Sequence, residues 1–357
     1  MDRGKAIADK PSIFTIGSDG SGDYRVPSDD SDDSASGRAV AAAVAAMDRR
    51  ADARASNSGS GDPGASSSRA QPPLAQEIGP FVDGQYVRLR NRGRGGYLFA
   101  NESGRGVSVD HRRGMVNTAW AVQVVRTAHV ERVFLRGAYG RYLGATRNSA
   151  RFGLLGCYAA QRDFEYWDDS GVWWSIATGR VGVVLFNTMD DVPRALRANG
   201  RYQRWNTEVT VESVDWRNHV SSMMEWEVQV IPLTLERPPY QPRSPNAIQW
   251  WRGSVDVMDV SFTYALFGDN GSVGDQNWMD VHFDGRSLTE LGNEIASRLG
   301  DGAQFENMTL CVQAGRFGRP TPLLTDLPLR ADPISILVFI VGSLGHSVLR
   351  FPDLAAE

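Results

Sequence analysis

Three stretches of this chain repeat one pattern at a spacing of roughly 50 residues, a period that few folds accept in three copies. The first opens with Tyr86-Val87-Arg88-Leu89, turns through Gly93-Arg94-Gly95-Gly96 and continues Tyr97-Leu98-Phe99-Ala100-Asn101. The second opens with Arg132-Val133-Phe134-Leu135 and continues Gly140-Arg141-Tyr142-Leu143-Gly144-Ala145. The third opens with Val183-Val184-Leu185 and, after a longer loop, continues Ala195-Leu196-Arg197-Ala198-Asn199-Gly200. Each closes on a tryptophan strand: Trp120-Ala121-Val122-Gln123-Val124, Trp173-Trp174-Ser175-Ile176 and Trp226-Glu227-Val228-Gln229-Val230. A unit of this length holds about four strands and is too short to bury a core by itself. Three such units close into a barrel capped by hairpins, which removes the edges that an open sheet must protect. Propeller blades also carry four strands, but a propeller needs at least about four blades. The repeats therefore predict a β-trefoil.

The residue types fit that expectation. In Val87-Arg88-Leu89-Arg90 the period of two sends Val87 and Leu89 to one face and the arginines to the other, so the barrel interior takes the aliphatic pair. Glycines after the opening strand allow a tight hairpin turn, and the Tyr-Leu or Ala-Leu pair that follows supplies the next inward residue. The closing tryptophans are large enough to plug the barrel between its layers, a packing role rather than a ligand-stacking one.

On these residues, Phe81 to about Leu233 resembles the plant domain-of-unknown-function 569 family, whose trefoil is similar to those of the actin-crosslinking protein fascin. The matching elements are Val87 to Leu89, the Gly-x-Tyr-Leu hairpins Gly95 to Leu98 and Gly140 to Leu143, Leu196 to Gly200, and Trp226-Glu227-Val228. The third repeat departs from the pattern, with Asp190-Asp191-Val192-Pro193 where a short Gly turn is usual.

A Pro-rich connector, Arg237 to Pro245, reads as a semi-rigid spacer. Beyond it the pattern predicts strands over Asp259 to Phe267, Trp278 to Phe283, Met308 to Val312 and Ile334 to Val341, with a short extended piece near Pro322 to Thr325. Between the second and third strands lies a helix from Ser287 to Leu299, opened by a Ser287/Glu290 capping box and stopped by Gly300. That order is a β-grasp. Trp278, Phe283 to Ser287 and Thr309 to Val312 resemble the ubiquitin-like domain that accompanies members of the same family. The end of the sequence, Leu354-Ala355-Ala356-Glu357, lacks the Gly-Gly needed for conjugation, so a docking surface is expected rather than a tag.

The organisation expected is a disordered low-complexity tail over 1–76, a fascin-like trefoil over 77–234, a linker over 235–257, a β-grasp over 258–343 and a tail over 344–357. The fold class is mainly β with a small α+β domain. The first segment is rich in Ser, Gly, Asp and Ala, including the acidic run Ser28 to Asp33, and cannot bury enough apolar surface to offset its ordering entropy. Over the whole chain, 41% apolar and 22% charged residues are ordinary for a globular protein. A net charge of −4 makes no whole-chain case for nucleic acid. No apolar run spans a bilayer, and the N-terminus has no apolar signal core, which predicts a cytoplasmic protein.

No chemistry-bearing motif emerges. There is no Gly-x-Ser-x-Gly elbow. His111, His129, His219, His282 and His346 stand isolated, Cys157 and Cys311 have no C-x-x-C partner, and Asp168-Asp169 and Asp190-Asp191 read as solvated turns. Catalytic residues, metal and cofactor are all expected to be absent. Two features suggest binding. Arg88, Arg90, Arg92 and Arg94 share an outer strand face and its turn, a cationic patch suited to an acidic protein surface, phosphate groups or RNA, though without the interleaved aromatics of a single-strand nucleic-acid platform. Gln203-Arg204-Trp205 resembles the Gln-x-Trp element of ricin-type sugar-binding trefoils, although here it occurs in one repeat, with Gln203 and Trp205 as the sugar-stacking pair. The reading is a non-enzymatic adaptor whose trefoil binds a protein, with actin as the partner the resemblance implies, and whose ubiquitin-like domain recruits a second partner. A carbohydrate- or lipid-headgroup-binding module is the alternative, and the sequence leaves the oligomeric state open.

Overall fold

A computed structural model describes residues 79–126, 131–151, 153–179, 181–189, 192–200, 206–214, 220–242, 259–267, 278–300, 303–329 and 333–356. The acidic N-terminal segment, Asp190-Asp191 and the Gln203-Arg204-Trp205 element lie outside them.

Each repeat contributes four strands: β1 (Tyr86–Asn91), β2 (Tyr97–Ala100), β3 (Val107–Asp110) and β4 (Trp120–Arg126); β5 (Glu131–Arg136), β6 (Tyr142–Ser149), β7 (Cys157–Arg162) and β8 (Ser175–Thr178); β9 (Val183–Asn187), β10 (Arg194–Ala198), β11 (Val209–Ser213) and β12 (Trp226–Ile231). The outer strands of the repeats form a ring. Antiparallel ladders join β1 to β4, β4 to β5, β8 to β9, β9 to β12 and β12 back to β1, and a Val133–Trp174 bridge closes β5 onto β8. The middle strands pair as hairpins β2–β3, β6–β7 and β10–β11, which meet one another across the cap through Gly106–Ala160, Ser108–Glu208 and the β7–β11 pairing. This is the predicted β-trefoil.

Its core repeats like its sequence. Val87 and Leu89, Val133 and Leu135, and Val183 and Leu185 all enter one buried cluster, with Leu98, Leu143 and Leu196 from the second strands. Trp120, Trp174 and Trp226 are fully buried. A buried indole N–H needs an acceptor, and each finds the same one: Nε1 donates to the carbonyls of Leu98 at 3.0 Å, Leu143 at 2.8 Å and Leu196 at 3.0 Å. In the Trp173-Trp174 pair it is Trp174 that closes the repeat.

After β13 (Leu233–Thr234) the second domain comprises β14 (Asp259–Leu266), β15 (Met279–Asp284), α1 (Leu288–Leu299), β16 (Met308–Gln313), β17 (Thr321–Pro322) and β18 (Ile334–Ile340). The sheet order is β15-β14-β18-β16-β17, with β14 and β18 parallel at its centre, which is the β-grasp expected. Leu288, Leu291, Gly292, Ile295 and Ala296 recur at helical spacing and bury one stripe of α1 on the sheet. Ser287 Oγ accepts from the Glu290 N–H at 3.3 Å, and Gly300 ends the helix at φ 103°.

The opposite sheet face is also covered. Ala265, Phe267, Cys311, Leu337 and Phe339 form a second buried cluster, and α2 (Leu344–Ser347) lies over it so closely that a Cβ on Gly345 would stand 2.5 Å from the Phe267 ring. Residues 344–356 of the segment expected as a tail are thus largely structural. After α2, β19 (Phe351–Pro352) pairs with β13, and Phe351 and Leu354 bury against Tyr86, Ala121 and Ile231 of the trefoil and Leu324 of the β-grasp. That sheet face is therefore covered by the chain itself.

Between the domains the loop after β16 enters the second repeat as an extra strand-like rung. Phe164 N donates to Ala314 O at 2.9 Å and Phe317 N to Phe164 O at 2.9 Å. Arg136, buried, donates to the carbonyls of Arg319 (2.7 Å) and Pro320 (3.0 Å) and to Thr321 Oγ1 (2.7 Å). Arg319 in turn pairs with Asp83 at 3.0 Å, and its N–H donates to the Tyr142 hydroxyl at 3.0 Å. Gly140 (φ 71°) meets Val312, where a Cβ would fall 3.0 Å from the Val312 carbonyl oxygen. The described start of the linker is strapped down as well: Gln241 accepts from Val116 N, donates to Gly114 O and pairs with Thr325.

Candidate functional site

The four arginines of the expected patch do not share one surface. Arg88 is 1% exposed, because the C-terminal segment lies across the outer face of β1. Its Nε donates to Arg113 O and its Nη2 to Leu354 O, both at 3.0 Å, while Arg113 reaches Ala356 O at 3.1 Å. Burial, then the neighbouring Arg113 charge, holds the Arg88 pKa below its ordinary value. Arg88 is a structural clamp, which corrects its placement in an exposed patch. Outward direction on a strand does not mean exposure when another segment packs on that face. Arg90 and Arg92 keep exposed side chains, each facing an acid: Glu227 at 3.3 Å and Glu225 at 3.9 Å. Arg94 is held by the carbonyl of Gly200. The cationic field of this turn is therefore largely met within the protein.

His111 and His282 are exposed and His346 is half-buried, while His129 and His219 lie outside the described residues. Among the described residues no group of three or more His, Cys, Asp or Glu could hold a metal ion. No described helix is long and apolar enough to cross a membrane. Asp169 is not a solvated turn residue: its carboxylate accepts from Gly171 N at 2.9 Å and pairs with Arg162 at 2.9 Å, capping the 3-10 turn Ser170–Val172. Cys311 is buried, and burial pushes its thiol well above the usual range.

The side chains that stand out were not among the sequence candidates. The loop from Asp163 to Asp169 carries Tyr166 and Trp167, which are 69% and 52% exposed. Phe164, buried beneath them, anchors the loop. Its ring lies 5.8 Å from that of Trp167, nearly stacked at 30°, and Trp167 meets Phe317 of the other domain edge-on at 5.8 Å. The Arg316 guanidinium sits 6.0 Å over Phe317, and the Arg316 backbone N–H donates to the Glu165 carboxylate at 3.2 Å. The result is an aromatic ledge with one cation, built by both domains at their junction. Tyr166-Trp167 inside an acidic loop, off any period-two pattern, is the signal that could have found half of it. The other half comes from a segment about 150 residues away, and no local pattern reports that.

Residues 78–229 match the β-trefoil domain of unknown function DUF569, and residues 259–339 match the DUF569-associated ubiquitin-like domain. No curated protein matches the chain. Among solved structures, the designed threefold-symmetric protein ThreeFoil is similar to it at 18% identity and a TM-score of 0.32, over 40% of this chain and 96% of that one. A ricin B-like lectin of Macrolepiota procera in complex with lactose is similar at 15% identity and 0.32, over 41% and 96%. The Rhizoctonia solani agglutinin is similar at 16% and 0.31, over 41% and 95%. These likenesses concern the trefoil fold alone. With both family domains matched in order, the chain belongs to the DUF569 family, a β-trefoil followed by that family's associated ubiquitin-like domain.

Proposed function

We propose that the protein is a non-enzymatic scaffold that docks a protein partner on the ledge formed by Tyr166, Trp167, Arg316 and Phe317. The observation that carries this reading is Trp167, about half exposed yet held by rings from both domains. Tryptophan, tyrosine and arginine dominate the energetics of protein interfaces, and a pre-ordered aromatic loses little entropy on binding. The chemistry fits a partner that lays an apolar knob on Trp167 and a carboxylate against Arg316. The ubiquitin-like domain, on this reading, supplies half of the ledge rather than a separate docking face. Arg90 and Arg92 serve as a weaker accessory contact.

Filamentous actin, the partner implied by the family resemblance, is the first to test. Co-sedimentation of the full chain with actin filaments is measured for the parent protein, for Tyr166→Ser with Trp167→Ser, and for Arg90→Ala with Arg92→Ala. The expected result is pelleting that the aromatic pair weakens tenfold or more and the arginine pair less than threefold. No pelleting removes actin as the partner, and equal pelleting of the aromatic variant removes the ledge. A single trefoil presents one such ledge, so bundling of filaments would additionally require a dimer.

A further inference from the structure

A second concave site lies on the trefoil cap between the first and second repeats, lined by Arg105, Arg141, Asn148, Gln161, Arg162 and Asp163, with a volume of about 440 Å³. That is within the size range of small-ligand sites. From its residues we infer that this groove binds a phosphorylated polyol, a hydroxylated ring carrying phosphate.

The arginines are set in place by the cap. Arg141, 8% exposed, donates to Gly104 O at 3.0 Å and pairs with Asp163 at 2.9 Å. Arg162 donates to Ala145 O at 3.1 Å and pairs with Asp169 at 2.9 Å. Two glycines leave room for it: a Cβ on Gly171 would stand 1.9 Å from Arg162 Nη1, and one on Gly144 would stand 2.6 Å from Arg162 Cδ. Neither glycine adopts a positive φ, so their shared contribution is space for this side chain. The Arg162 guanidinium has five N–H donors in a planar fork, more than one carboxylate and one carbonyl can use, and that fork matches a phosphate face. Arg105, exposed on the rim, adds a third cation.

Gln161 points to hydroxyls. It is 4% exposed, and its Nε2 donates to Asn101 O at 3.1 Å and Gly106 O at 2.7 Å, which fixes the amide orientation. Its Oε1 is then a buried acceptor without a partner among the described residues. Such acceptors are rare in native structures and call for an ordered water or a ligand. A hydroxyl donor for this acceptor and a phosphate for the surrounding arginines are what a sugar or inositol phosphate offers. The Arg162–Asp169 pair also ties this groove to the loop that carries Trp167, but the groove is a separate site and its test does not depend on the ledge.

Isothermal titration of the full chain with inositol 1,4,5-trisphosphate, and separately with inorganic phosphate, tests the inference. The trisphosphate is expected to bind at least tenfold more tightly than phosphate and to lose tenfold or more in Arg105→Glu, an exposed substitution that leaves the fold intact. Arg162→Gln, checked for unchanged thermal unfolding, is expected to lose as much, and Trp167→Ser nothing. Vesicles containing phosphatidylinositol 4,5-bisphosphate separate the two sources of this chemistry. Vesicle binding competed by the soluble compound indicates a lipid headgroup, and its absence beside tight soluble binding indicates a free metabolite. No binding of the trisphosphate at millimolar concentration, affinity equal to that of phosphate, or indifference to Arg105→Glu overturns the inference.

Discussion

The first and second repeats place the same residues inside the barrel and opposite fates outside it. Val87 and Leu89 of β1 match Val133 and Leu135 of β5, all fully buried in one core. The outward residues diverge. On β1, Arg88 is sealed by the C-terminal segment while Arg90 stays in solvent beside Glu227. On β5, Phe134 is buried among Tyr142, Phe164 and Val172, and Arg136 is sealed by the ubiquitin-like domain. Arg90 and Arg136 hold equivalent repeat positions, yet one is a surface ion pair and the other clamps two domains together. Threefold pattern therefore dictates what faces inward, and docking of a second domain on one repeat dictates what the outward face means.

The largest test of that contrast is Arg136→Ala. It strands two backbone carbonyls and Thr321 at a buried junction, and a cost of about 3 kcal/mol or more is expected. Urea unfolding should lose its single transition or shift its midpoint strongly, and an unchanged curve would mean that the domains dock without this residue. Next is Gly315→Ala. At φ 82°, with its Cβ 2.5 Å from the Phe164 carbonyl carbon, alanine is expected to cost about 2 kcal/mol and to raise Trp167 exposure as seen by fluorescence quenching.

Arg88→Met keeps the volume but abandons the bonds to Arg113 and Leu354, at an expected cost of about 1–3 kcal/mol. Amide exchange should quicken over residues 351–356 and not in the barrel. Exchange that stays slow would show that the apolar contacts of Phe351 and Leu354 hold the segment without the clamp.

A pH test addresses both covered faces together. Burial, opposed only in part by Arg136, pushes the Tyr86 hydroxyl from 10.0 up to about 12, and burial raises Tyr142 as well. A raised pKa favours the protonated form in the folded state, so this stability is complete below pH 10.0 and is lost as pH climbs toward about 12. Thermal unfolding midpoints should hold up to about pH 10 and then fall, and a flat profile through pH 12 would contradict the burial of Tyr86. The smallest effect belongs to Arg90→Ala, which removes an exposed pair and should change stability by no more than about 0.5 kcal/mol. A loss approaching that of Arg136→Ala would erase the contrast.

Legibility in the sequence followed the range of the interactions. Val-x-Leu openings, Gly turns and closing tryptophans are local, periodic signals, and the barrel and its core follow from them. The Ser287 cap and the apolar stripe of α1 are equally local. The functional surface was less legible, because exposure depends on partners far along the chain. Arg88 has the alternation of a surface residue and is buried by Leu354, 266 positions away. Trp167 is supported by Phe317, and the Arg162 cradle needs Gly144 and Gly171.

What the sequence by itself determined is the pair of folds, since hydrophobic periodicity and turn chemistry act within a few residues and each repeat carries its own copy. What only the tertiary structure decided is that the two folds form one docked body, with a clamped C-terminal segment, a composite ledge and an arginine-lined groove. The physical reason is that those features rest on side chains reaching backbone carbonyls of remote segments, and such carbonyls are present at every residue and leave no mark in the sequence.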